Sequence, residues 1–210
     1  MSTANPPGNA WTKNPLVRVV LIVCGIAGMI TGARQMYEGV NEIRGAGESA
    51  AATQRIKESD QAVDEANAIT QAAAMPFQAL LDAVDNTGLE AARKQHGEAA
   101  QKLIADFAAA ATKARLGAAK LTEAEQHGVN ENFKPFIDTK AKSYEAFAVA
   151  CDKNQALVKL LMDESFAKLD DVLPKFNVVV AERDAAQKQA NELTEQANKL
   201  VPQTKPAENK

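Results

Sequence analysis

The chain has 210 residues, a formal net charge of −3, and is 46% hydrophobic but only 5% aromatic. That length holds one domain and a further segment, and the acidic balance supplies no basic stripe with which to hold a nucleic-acid backbone. Two cysteines without metal-like spacing exclude a disulfide framework and leave the redox compartment open.

Residues 1–15 are polar and rich in Pro, Gly and Asn, the composition of a flexible tail, with Trp11 placed as an interfacial anchor. Leu16 to Ala33 is an 18-residue apolar run with one charge, Arg18. As a helix it would be about 27 Å long, close to the thickness of a bilayer's hydrocarbon core. Arg18 lies within a turn of its start, where the head group can snorkel to the interface. The leading expectation is a permanent transmembrane helix. The alternatives are a cleavable signal peptide ending near Thr31-Gly32-Ala33, or a buried helix of a soluble domain.

Residues 34–47 are expected to carry the helix out of the membrane to a hinge at Gly45 and Gly47. Lys13 and Arg18 on one side face Arg34 and Arg44 on the other, so positive charge does not fix orientation. An uncleaved signal-anchor of this layout commonly exports its domain, which favours the tail inside and the bundle outside.

Residues 48–200 hold four stretches with apolar residues three or four apart. The first, from about Glu48 to Asp85, carries Ile56, Val63, Ala66, Phe77, Leu80 and Val84, with Pro76 expected to kink or divide it. Asn86-Thr87-Gly88 marks a turn, and Thr87 with Glu90 has the spacing of a capping box. The second runs from about Leu89 to Leu121, with Leu103 and Phe107 on its stripe. A further capping pattern, Thr122 with Glu125, predicts a short connector helix. The third runs from about Pro135 to Glu164 and the fourth from about Ser165 to Leu200, with Pro174 near its start. Residues 201–210 read as a solvated tail. Helices of this length with short connectors predict an all-α protein: one N-terminal transmembrane helix followed by an antiparallel up-down four-helix bundle.

The layout of residues 16–200 resembles the extracytoplasmic four-helix sensor module of bacterial chemoreceptors, in architecture alone and on no shared motif. The resemblance implies a bacterial cytoplasmic membrane with the bundle on its outer side. The second transmembrane helix and signalling region of such receptors have no counterpart in this sequence.

Three groups of residues stand out. Cys24, Gly28 and Gly32 fall four apart in the apolar run, a small-residue seam against which another transmembrane helix can pack. Arg183 falls on an apolar stripe at the expected level of Thr70, Gln101 and Cys151 or Asn154. Such a polar layer binds a small ligand or fixes helix register, and an arginine at a boundary position also simply snorkels. Asp82, Asp85, Asp163, Glu164, Asp170 and Asp171 should share one end of the bundle. That acidic tip suits a basic partner or a weakly held divalent cation, or is a solvated turn with acids at a helix start.

Chemistry finds little footing. His96 and His127 have no nucleophile near them in sequence, and there is no Glu-x-x-His, CxxC, Walker loop or GxGxxG. The expectation is a non-enzymatic protein without cofactor or metal. Its expected partners are the lipid bilayer and other membrane subunits or a second copy of itself, and not nucleic acid.

Overall fold

The computed structural model describes residues 49–200. The transmembrane expectation for 16–33, the hinge and both tails lie outside the described residues. The described chain is helical: α1 (Ala50–Thr87), α2 (Leu89–Gln126), a single 3-10 turn (Glu131–Phe133), α3 (Lys134–Met162) and α4 (Leu169–Leu200). Among the described residues no helix is long and apolar enough to cross a membrane.

The helices alternate in direction. Arg55 meets Glu123 at 3.1 Å, Ser59 meets Gly117 and Glu65 meets Lys113, so α1 and α2 run antiparallel. Gln155 Nε2 donates to the Ile104 carbonyl at 3.1 Å and Arg115 pairs with Asp152, which sets α3 antiparallel to α2. Lys153 pairs with Glu182 at 2.6 Å across α3 and α4. Both ends of the described segment therefore emerge at one pole, with Gly128; the other pole carries Gly88 and the α3–α4 connection. Close backbone packing joins consecutive helices, whereas α1 and α4 approach each other far less, so the fourth seam is loose.

Local chemistry sets the ends. The Ser49 Oγ accepts from the Ala52 amide at 3.1 Å, capping α1, and donates to the His127 carbonyl, pinning that start to the α2–α3 connection. One residue, Gly88, joins α1 to α2 at φ 81°, a conformation that side chains resist. Thr87 does not cap α2; its hydroxyl donates back to the Ala83 carbonyl at 2.8 Å. Likewise Thr122 starts no connector helix, because its hydroxyl bonds the Ala118 carbonyl and α2 continues to Gln126.

Pro76 neither divides nor ends α1. A proline forfeits the hydrogen bond to the carbonyl four residues earlier. Here that residue, Ala72, lies on the same exposed face as Pro76, so the forfeited bond falls on the solvent side of the helix and not in the core. The buried neighbours Ala73, Phe77 and Leu80 hold the helix on both sides of it. Pro174 is tolerated inside α4 for the same reason, its partner Asp170 being exposed.

The core falls into three layers along the rod. Toward the Gly88 pole, Phe77, Phe107 and Phe176 join Leu80, Leu103, Leu157 and Leu161 in a cluster fed by all four helices. Toward the Gly128 pole, Leu121, Val129, Phe133, Phe136, Ile137 and Tyr144 form a second. Between them lies a layer of small residues, among them Ala66, Ala110, Ala111, Ala114 and Ala148, with Cys151 and Phe147. The helices come close near this layer: a Cβ on Gly117 would stand 2.5 Å from Val63 and 3.2 Å from the Ser59 carbonyl oxygen, so only glycine fits. Ser59 Oγ closes the contact by donating to the Gly117 carbonyl at 2.7 Å.

Candidate functional site

Four buried polar side chains, Thr70, Asn154, Arg183 and Gln187, fall near the middle of the bundle. Arg183, at 1% exposure, is the largest side chain buried this completely among the described residues, and its Nη2 lies 2.8 Å from Asp184 Oδ1. Burial lowers the Arg183 pKa below the ordinary guanidinium value, with Asp184 opposing. The Lys153–Glu182 pair puts the neighbouring residues Asn154 and Arg183 at one level. Asn154 is also 1% exposed, and Gln187 is buried one turn further along α4. Asn154 Oδ1 and Gln187 Oε1 have no hydrogen-bond partner among the described residues.

Thr70 belongs to the same layer. Its hydroxyl donates to the Ala66 carbonyl at 2.9 Å and lies 3.9 Å from Cys151 Sγ. Burial pushes the Cys151 thiol up to about 12, and the Thr70 hydrogen bond only partly offsets this. A thiol buried and held protonated in this way is a poor nucleophile at neutral pH. Gln101 is exposed and takes no part, and His96 is half-buried on α2.

A second buried charge was not legible in the sequence. Lys140 on α3 reaches Asp60 on α1, with Nζ 3.0 Å from Oδ1, and lies over the rings of Phe136 and Tyr144 at 5.5 and 5.7 Å. Tyr144 donates its hydroxyl to the same carboxylate at 3.4 Å. Burial opposes the charge on Lys140, but its electrostatic and hydrogen-bond coupling to Tyr144 and Asp60 prevails and raises its pKa. Burial pushes the Tyr144 phenol up to about 12. This group ties α1 to α3 across the bundle diagonal; residues 80 positions apart carry no local signal of such a contact.

The structure brings the acidic residues to one pole. Asp82 and Asp85 stand at the end of α1, Asp163 and Glu164 leave α3, and Asp170 and Asp171 open α4, all exposed. Among the described residues no group of three His, Cys, Asp or Glu side chains could hold a metal ion. The pole is also not uniformly acidic, because Arg93, Lys94 and Lys168 share it. Arg93 holds the α3–α4 connection: its Nε, Nη1 and Nη2 donate to the carbonyls of Leu161, Phe166 and Asp163 at 2.9, 2.8 and 2.7 Å. These are carbonyls at and beyond the C-terminus of α3, where the helix supplies no partners of its own. Asp163 shapes the same turn by accepting from the Ser165 amide at 2.9 Å, and hydrogen bonds from Ser165 lower its pKa.

Replacing Arg93 by Ala is expected to lower the unfolding free energy by about 2–3 kcal/mol, since three carbonyls lose a charged donor together. Arg93→Lys should recover only part of this, because an ammonium lacks the planar fork. Urea titration of the three proteins measures it; a loss under about 0.5 kcal/mol for the alanine variant would show that the fork does not hold the turn.

Comparison of the chain with protein-family models, with curated proteins and with solved structures finds no match. The small-residue seam of Cys24, Gly28 and Gly32 lies outside the described residues. What the described bundle offers is a rod about 57 Å long by the rise of its 38-residue helices, with buried polar groups at its middle and a mixed-charge pole.

Proposed function

We propose that the chain is a single-pass, membrane-anchored helical bundle that serves as a non-enzymatic accessory or scaffold subunit of a larger membrane complex. The observation that carries this reading is the 18-residue apolar run Leu16–Ala33, with its small-residue face, set ahead of a long bundle. The run is long enough to span a bilayer, and Gly28 and Gly32 would let a second transmembrane helix approach closely. The bundle would then hold partners at a fixed distance from the membrane. A bacterial cytoplasmic membrane with the bundle outside is the setting in which we place it, on the architectural resemblance to receptor sensor modules.

A second reading, a ligand-binding sensor module that signals through a partner, draws on Asn154 and Gln187, whose buried oxygens have no partner among the described residues. One experiment separates the two. The native protein is extracted in mild detergent, fractionated by size exclusion, and every co-migrating component is identified by mass. A stoichiometric set of other membrane proteins is expected. A chain that travels alone or only with its own copies would overturn the subunit reading and favour the sensor.

A further inference from the structure

The outer surface between α3 and α4 carries an apolar groove. Ala156 and Leu160 of α3 and Pro174 and Val178 of α4 form its apolar part; its charged lining residues are Lys159 and Asp163 on the α3 side and Lys175 and Glu182 on α4. Val178 is 57% exposed, although nothing in helix formation requires an apolar residue on that face. Lys175, Val178 and Glu182 follow one another at intervals of three and four residues, so they lie on one face of α4. Both charged residues are exposed.

Their order along the helix is self-complementary. Lys175 precedes the midpoint between Val178 and Val179 by the same distance, about 5 Å, at which Glu182 follows it. When two copies of α4 pack antiparallel about a two-fold axis at that midpoint, each Lys175 comes level with the other copy's Glu182. The axis generates both ion pairs at once, and Val178 meets the apolar surface of its counterpart. The charged lining residues are of both signs, so a wholly acidic or wholly basic partner would meet like charges here. Within one copy Glu182 also accepts from Lys153 at 2.6 Å, and Lys175 lies 4.8 Å from the Phe166 ring centre, so pairing between copies extends contacts these two side chains already make.

We propose that this groove is the contact between two copies of the chain, paired through antiparallel α4 helices centred on Val178 and Val179. The proposal does not rest on the subunit reading, since two copies can pair inside a larger complex or alone. A contact confined to one helix face of each copy, with charged residues beside a short apolar strip, makes a weak and charge-dependent pairing.

The test uses two differently tagged full-length chains in mild detergent, with capture on one tag and quantification of the other. Wild type should capture wild type. Lys175→Glu with itself, and Glu182→Lys with itself, should each lose roughly tenfold or more, because both symmetric pairs become repulsive. Val178→Asp should lose at least as much. Lys175→Glu mixed with Glu182→Lys should recover wild-type capture, since both rim pairs are again of opposite sign. That recovery also shows that both variants are folded. Pairing through the small-residue seam of the apolar run would be equal in every combination, and equal capture would overturn the proposal. So would no capture of wild type by wild type, or the absence of recovery in the mixture.

Discussion

Phe107→Ala is expected to lower the unfolding free energy by about 3–5 kcal/mol, the usual cost of emptying a fully buried aromatic site. Phe107 is 0% exposed and meets Phe77 edge-to-face, with ring centres 5.7 Å apart. All four helices feed the cluster around it, so the cavity has no single element that can shift inward to fill it. A domain of this size has about 5–15 kcal/mol in total, so the variant should sit near the edge of folding. Leu116→Ala serves as the control, because Leu116 is 43% exposed and its truncation should change stability by under about 0.5 kcal/mol. Urea midpoints for the two variants measure the contrast; equal midpoints would mean that the aromatic layer is not the stabilising centre of the bundle.

The second large effect is alkaline. Cys151 and Tyr144 have pKa values raised to about 12 from ordinary values of 9.0 and 10.0, and that of Lys140 is raised above 10.5. The unfolded chain releases these protons at the ordinary values, whereas the folded chain keeps them. Between pH 9 and 12 the unfolded state therefore binds fewer protons, and stability falls as pH rises, by about 1.4 kcal/mol per unit for each group fully in its window. Below pH 9 the three groups are protonated in both states and their contribution is complete. Urea midpoints at pH 8, 9.5 and 11 should descend in turn, and Cys151→Ala should flatten the first step in particular. A midpoint constant across that range would show that these groups titrate alike in both states.

Much of the fold was legible in the sequence because burial repeats with the helical period. Phe77, Leu80 and Val84, or Phe147, Cys151, Val158 and Leu161, fall on one face, and each is buried. The turns were less legible. Thr87 and Thr122 have capping spacings, but a threonine hydroxyl bonds equally well to the carbonyl four residues earlier, as both do. Pro76 reads as a break because its local cost is plain, while the buried residues on both sides that outweigh it belong to tertiary structure. Arg183 stood out because it interrupts an apolar stripe. Arg93 and Lys140 did not: an arginine near a helix start and a lysine among polar neighbours look like surface residues until the fold brings distant carbonyls and Asp60 to them.

The loose seam between α1 and α4 has a kinetic consequence. α3 is packed by α2 on one side and α4 on the other and is tied to α1 through Lys140, whereas α4 leans mainly on α3. From Ala186 onward the buried side chains of α4 are Ala186, Gln187, Ala190 and Ala197, which remove little apolar surface from water. That half of α4 can detach without disturbing the aromatic cluster at the opposite pole. Native-state amide exchange should therefore report a gradient, fastest along residues 186–200 and slowest in α3, and a protease entering the folded bundle would make its first cut in the last helix.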